Sequence, residues 1–309
     1  MKQSLLIVTG PTASGKTAVC VEIAKKSPVE VISFDSMQVY RGLPIITQAP
    51  PKRCLAGTRT LHTHLVSFMD VSERYDAAQF RKDAGSLIQK ILKRGRVPLL
   101  SGGTGLYLRM LLDGLFESEG RPHDERLRKK LLAEQEKYGG DHLHQRLARV
   151  DGASAAKIHQ NDLRRLVRAL EVHALSGKPI SQKKSERSGI RERFYCPVFF
   201  LERGREDLYA RIEYRVDEMV KKGLVREVER ALKKDLSQTA SMALGIREIQ
   251  GSPLKEAVVL LKQHTRNYAK RQLSWFRHEK GVVPVPVGKD ESPKVTAQKI
   301  LERWERGKG

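Results

Sequence analysis

The chain has 309 residues, 39% hydrophobic and 30% charged, enough for a sizeable core and, by length, about two domains. Its 58 Lys and Arg exceed its 36 Asp and Glu by 22. Such an excess favours a polyanionic partner through phosphate neutralisation and counterion release, whereas binding a membrane surface would require an apolar anchor or a strongly amphipathic basic helix, and neither is evident. Three widely separated cysteines, Cys20, Cys54 and Cys196, with no CxxC pair and no Cys/His finger spacing, argue against a zinc module and a disulfide framework and fit reduced thiols. The opening apolar run 5–8 is too short for a signal peptide and no stretch approaches membrane-spanning length, so a cytoplasmic, monomeric protein without a membrane partner is the expectation.

Three short apolar runs, 5–9, 29–34 and 97–101, read as buried strands ended by Gly, Asp or Ser. Helical patterns over 17–26 and 77–94 alternate with them, which predicts a parallel α/β sheet with ligands at the carboxyl ends of its strands. After about residue 118 the texture changes. Between 121 and 195 strand signals fade, helical spacing dominates, and 18 Lys and Arg face 10 Asp and Glu. This predicts a basic helical insertion, residues 119–195, in a core made of 1–118 and 196–309. The polar run 181–193, SQKKSERSGIRER, reads as a loop. Another strand is expected over 197–201, and helices over 205–234 and 254–280.

Residues 10–17, GPTASGKT, match G-x-x-x-x-G-K-[ST] between a strand and a helix. The pattern turns backbone N–H groups of Gly10, Pro11, Thr12, Ala13, Ser14 and Gly15 (proline supplying shape only) inward at phosphate oxygens, adds the positive end of a helix, a charge at Lys16, and the Thr17 hydroxyl for a magnesium ion. The fold class expected is therefore α/β with a P-loop NTPase-like sheet flanked by helices. The usual second element, an aspartate holding the metal at the end of another strand, is not clear: the 97–101 strand ends in SGGTG, Asp70 is a weak candidate, and Asp35 follows the 29–34 strand. The loop reveals phosphate but not the reaction. A small-molecule kinase, a transferase acting on free adenine nucleotides and a non-catalytic RNA-binding module all stay open on these features.

Several further segments resemble one family. DSMQVYRGLPIITQAP at 35–50, SGGTGLYLRMLLDGL at 101–115, IHQNDLRRLVRALEVHALSGKPIS at 158–181, RIEYRVDEMVKKGLVREVERAL at 211–232 and TRNYAKRQLSWFR at 265–277 follow the loop in the order found in bacterial tRNA dimethylallyltransferases, also called tRNA isopentenyltransferases. The chain departs from that pattern at Gln48–Ala49, at Gln160, and at Ile246–Arg247. The resemblance implies transfer of a five-carbon dimethylallyl group from dimethylallyl diphosphate to N6 of an adenosine beside the anticodon, with Mg2+ as cofactor and the anticodon stem-loop of tRNA as partner.

The attacking amine has its lone pair delocalised into the ring, so a carboxylate that takes its proton helps the bond form. Asp35, directly after an apolar strand at the rim of the loop, is the expected base, and the resemblance gives that position a catalytic role. Thr104, after a Gly-Gly turn, is placed to hydrogen-bond the diphosphate or the base. Arg215 matches a family arginine implicated in diphosphate binding. The tRNA contacts implied are Asp35, Ser36, Met37, Gln38 and Thr104 near the loop, Arg128 and residues Arg164, Arg165, Leu166, Val167 and Arg168 in the insertion, and Met242, Gly245 and Arg247. Arg164, Arg165 and Arg168 are expected to share one helix face. The stripe Leu261, Tyr268 and Trp275 is expected to be core.

Overall fold

The computed structural model describes residues 3–114, 124–185 and 188–307. The chain divides into two compact units, one formed by Met1–Leu112 with Arg191–Gly309 and the other by Asp113–Ile190. In chain order the first unit begins β1 (Gln3–Ser4), β2 (Leu6–Thr9), α1 (Lys16–Lys26), β3 (Val29–Ser33), α2 (Pro44–Thr47), β4 (Arg53–Ala56), β5 (Arg59–His64), α3 (Ala77–Lys93), β6 (Val97–Gly102) and α4 (Gly105–Leu112). The second unit holds α5 (Glu125–Tyr138), α6 (His142–Val150), α7 (Gly152–Ala155), α8 (Leu163–Ser176) and α9 (Ile180–Ser185). The first unit then resumes with β7 (Phe194–Tyr195), β8 (Val198–Arg203), α10 (Arg205–Lys221), α11 (Leu224–Leu232), α12 (Ile246–Gly251), α13 (Leu254–Arg277), β9 (Val282–Val287) and α14 (Pro293–Arg306).

The main sheet has the order β4-β5-β3-β6-β2-β8-β9, parallel throughout except for the β4–β5 hairpin. β2 and β3 are buried at every position, as interior strands covered on both faces must be. Glu30, within β3, is satisfied by Arg94 at 2.8 Å, His64 at 2.7 Å and Arg96 at 3.6 Å. At the far edge β9 carries Pro284 and Pro286, which lack the N–H that an inner strand would need. Helices α1 and α14 cover one face, where Ile23, Leu99, Leu201, Ile300 and Trp304 join a continuous core.

The second unit has its own core of Leu131, Leu143, Leu147, Leu166, Val167 and Leu170. Fully burying each such leucine contributes about 1.5–3 kcal/mol, so the unit does not depend on the sheet for its apolar interior. Among the described residues no helix is long and apolar enough to cross a membrane.

The mixed α/β class with a parallel central sheet agrees with the sequence. Several details differ. The units divide after Leu112 and Ile190, rather than after 118 and 195. Residue 118 lies outside the described residues, and Phe194–Tyr195 belong to the first unit because their backbone pairs with Gln3–Ser4. The polar run from 181 opens in helix α9, not in a loop. The helix expected over 205–234 is two, because Gly223 stands at φ 95° between α10 and α11, a left-handed conformation that ends one helix and starts the other.

Candidate active site

Strands β3, β6, β2 and β8 end side by side, the edge of a parallel sheet at which ligands bind. Residues 10–15 leave β2 through left-handed conformations at Gly10, Ala13 and Gly15, with φ of 154°, 65° and 100°. A Cβ on Gly10 would lie 2.8 Å from Ser14 Oγ and 3.1 Å from Leu201 Cβ, so both space and backbone require glycine there. Ala13 is held in its costly conformation from outside: Arg211 Nε donates to its carbonyl at 2.9 Å. Arg203 Nε does the same to Ser14 O at 2.9 Å, and Thr12 N–H donates to Gln272 Oε1 at 2.8 Å.

Helix α1 starts without a side-chain cap. Its first closing bond is Val19 N–H to Gly15 O, so the N–H groups of Lys16, Thr17 and Ala18 have no acceptor within the helix and form an anion-binding end. Lys16 Nζ donates to the carbonyls of Gly10 and Pro11, both at 2.9 Å, which leaves one of its three protons for an anion. Burial lowers the Lys16 pKa to about 8, against an upward pull from Asp35 and a further downward push from Arg215. Ser14 Oγ is buried and has no hydrogen-bond partner.

Asp35 follows β3. Its Oδ1 accepts the N–H groups of Met37 at 2.9 Å and Gln38 at 3.4 Å, so the carboxylate caps the turn that carries Ser36, Met37 and Gln38. Burial raises its pKa, and those N–H groups and Lys16 oppose the rise. Thr104 follows β6 on the neighbouring strand end. Its Oγ1 accepts Ser36 N–H at 3.0 Å, and its side chain lies beside the Tyr268 hydroxyl. Arg215, one turn beyond Arg211 on α10, reaches Thr12 Oγ1 at 3.4 Å. The residues expected to be catalytic, Asp35, Thr104 and Arg215, thus share one strand edge with the loop. Asp70 stands apart, in a surface pair with Lys234 at 3.0 Å.

Three contributors were not singled out by sequence reading, Arg203, Arg211 and Gln272, and a fourth, Tyr268, was expected to be core. Arg211 and Arg215 on α10, and Tyr268 and Gln272 on α13, are each i,i+4 pairs and so share a helix face; that spacing was the available signal. The stripe on α13 is core only in part. Leu261 is buried, but Tyr268 and Trp275 are half-buried; Tyr268 borders Asp35, and Trp275 lies beneath the Arg109 guanidinium at 4.2 Å.

Met242 and Arg247 are exposed, while Gly245 is buried at φ 111° against Ile46. In the second unit Arg164 and Arg165 are exposed, but Leu166 and Val167 are core, so their side chains do not face a partner. Arg168 turns inward to the fully buried Glu171 at 2.7 Å, and Arg128 lies 3.5 Å from the same carboxylate. Only Arg164 and Arg165 of the expected three-arginine face are therefore exposed.

For a metal, the described residues hold no group of three or more His, Cys, Asp or Glu side chains. Magnesium is commonly held by one or two oxygen donors together with substrate phosphates and water. The exposed Thr17 hydroxyl at the start of α1 is an oxygen donor of that hard kind.

Comparison with known proteins places this arrangement. A family model described as IPP transferase matches residues 38–279. The tRNA dimethylallyltransferase of Carboxydothermus hydrogenoformans is 39% identical over 98% of both chains, and that of Desulforudis audaxviator 42% identical over 96% of both. Among solved structures, the tRNA isopentenylpyrophosphate transferase of Bacillus halodurans superposes with a TM-score of 0.68 at 35% identity, covering 99% of this chain and 98% of its own. A eukaryotic dimethylallyltransferase captured acting on tRNA superposes with a TM-score of 0.74 at 28% identity, covering 92% of this chain and 74% of its own. The chain belongs to the IPP transferase family.

Proposed function

We infer that the protein is a tRNA dimethylallyltransferase, moving a dimethylallyl group from dimethylallyl diphosphate to N6 of the adenosine beside the anticodon of tRNA and releasing diphosphate. The observation that carries this reading is the near-full-length match to relatives bearing that name. The geometry adds how the chemistry runs. The first unit is read as a P-loop NTPase-type sheet whose loop serves a leaving diphosphate instead of a transferred phosphoryl group.

As the bond between the allylic carbon and the diphosphate oxygen breaks, negative charge grows on the diphosphate. The free α1 N–H groups, the spare Lys16 proton and the Arg215 guanidinium meet it there. Arg203 and Arg211 hold the loop in shape by its carbonyls, so the donors are already aimed before charge develops. The adenine amine attacks the allylic carbon, and Asp35 accepts the amine proton as the new C–N bond forms. Thr104, tied to Ser36, holds the turn that carries Asp35. Thr17, together with the substrate phosphates, would hold a Mg2+ ion, which would supply further charge neutralisation for the diphosphate. The exposed Arg164 and Arg165, with Met242 and Arg247, are read as tRNA contacts, and the anticodon stem-loop as the part recognised.

The test is incubation with labelled dimethylallyl diphosphate and either unmodified tRNA or AMP. Label is expected in tRNA alone. Label in AMP would establish the free-nucleotide transferase instead, and label in neither would remove the prenyl-transfer reading.

A further inference from the structure

The buried face of α11 is Leu224, Glu227, Val228 and Ala231, an i, i+3, i+4, i+7 stripe with a carboxylate in its middle. Glu227 is 1% exposed. Its two oxygens accept consecutive backbone N–H groups at the start of α2, Ile45 at 3.0 Å and Ile46 at 2.8 Å. Helix α2 has no cap of its own, since the residue before it is Leu43. A side chain from another helix thus satisfies the N–H groups that the first turn leaves open.

The other end of α2 leads to the site. The carbonyls of Thr47 and Gln48 accept Gln38 Nε2 at 3.5 and 3.2 Å. Ser33 Oγ donates to Gln38 Oε1 at 2.9 Å, and the Gln38 N–H donates to Asp35 Oδ1. Gln48, at φ 51°, also lines a cavity of about 500 Å³ with Ala13, Arg211 and Arg215. Hydrogen bonds, joined by the backbone of α2 and by Gln38 itself, therefore link Glu227 to the carboxylate of Asp35.

We propose that Glu227 is a positioning residue for prenyl transfer: by capping α2 it fixes Gln38, and through Gln38 the turn that orients Asp35. The proposal rests on the reading of Asp35 as the proton acceptor. The cost of the arrangement supports it. Burial raises the Glu227 pKa against the pull of the two N–H groups, and an apolar residue at this place in the stripe would spare that cost. What the carboxylate supplies in return is one orientation of a short helix with no cap of its own.

The test is a double-mutant cycle read in single turnover at saturating substrates. Glu227→Gln keeps the shape but presents an amide to one of the two N–H donors. It is expected to slow the chemical step about tenfold or more, the scale of a small misplacement of a reacting group, with affinities for dimethylallyl diphosphate and tRNA within about threefold of normal. In an Asp35→Asn background the same substitution should cost less than about twofold, because it acts through the group already removed. A normal rate in Glu227→Gln would overturn the proposal, as would a loss that persists undiminished beside Asp35→Asn, the mark of a general structural role. A full-speed Asp35→Asn variant would show instead that the base reading had failed, and the positioning role with it. Should Glu227→Gln not fold, Glu227→Asp, which keeps the carboxylate on a side chain one methylene shorter, carries the same cycle.

Discussion

The side chain of Gln272 accepts the backbone N–H of Thr12 at 2.8 Å and, through its other amide atom, donates to the carbonyl of Gly103 at 3.0 Å. One residue of α13 thereby ties the loop after β2 to the turn after β6, and it is 5% exposed. Gln272→Leu leaves the Gly103 carbonyl buried and unpaired, at about 1–3 kcal/mol, and removes the acceptor of the half-buried Thr12 N–H. Denaturant unfolding should show the lost stability, and dimethylallyl diphosphate should bind more weakly. Unchanged midpoint and affinity would mean that the loop holds its shape without this strut.

Lys16→Ala should lower turnover by orders of magnitude in a protein that still folds; near-normal turnover would take the loop out of the mechanism. A pH effect accompanies it. With a folded pKa of about 8 against 10.5, the native state binds fewer protons than the unfolded chain between those values, so this group's contribution to stability rises with pH across that window. Below about 8 the buried charge exerts its full cost. Lys16→Met should therefore stabilise the unliganded protein at neutral pH, with the gain over the parent shrinking towards pH 10.5. Diphosphate affinity should fall as pH rises through about 8, which calorimetry across that range would measure.

Asp35 must be ionised to take a proton, and its pKa is raised by burial. The acid limb of the single-turnover rate should accordingly lie above the ordinary carboxylate range, and Asp35→Asn should abolish the limb while cutting the rate sharply and leaving tRNA and diphosphate binding within a few-fold. The raised pKa also means that the ionised group opposes folding at neutral pH, so the same variant should unfold at higher denaturant. A full-speed Asp35→Asn enzyme would exclude Asp35 as the base.

The arginines of α8 should separate by function. Arg164 and Arg165 are exposed, so Arg164→Ala should weaken tRNA binding and reduce the dependence of log affinity on log salt by about 0.7–0.9 for each phosphate no longer neutralised. Arg168 instead bonds the fully buried Glu171. Arg168→Ala should cost roughly 1.5–3 kcal/mol of stability, the worth of a hydrogen bond to a charged group, and lower the melting temperature. A lowered salt slope with unchanged melting in Arg168→Ala would reverse this assignment.

Local chemistry was legible in the amino-acid order because it is carried by neighbours in the chain. An apolar run followed by GPTASGKT specifies strand, turn and helix together: Gly10 is needed where a Cβ would strike Ser14, and Lys16 follows at the helix start. Asp35 and Thr104 could likewise be read as residues just past the ends of buried strands. Periodicity located α1, α3, α10 and α13. The β4–β5 hairpin and the edge strand β9 escaped because neither shows an unbroken apolar run: polar residues fill much of β4 and β5, and prolines interrupt β9.

What only the tertiary structure decided is which side of each helix does what. Hydrophobic spacing marks a stripe but not its neighbour, so Tyr268 read as core although it stands beside Asp35. A lone arginine reads the same whether it meets solvent or a buried acid, so Arg168 read as part of an exposed face although Glu171 holds it inward. Glu227 is the clearest case. In the chain it is one more charge in REVER, and its partners Ile45 and Ile46 lie on a segment nearly two hundred residues away. Burying a carboxylate is costly unless donors meet it, and which donors meet it is settled only when the sheet brings those segments together.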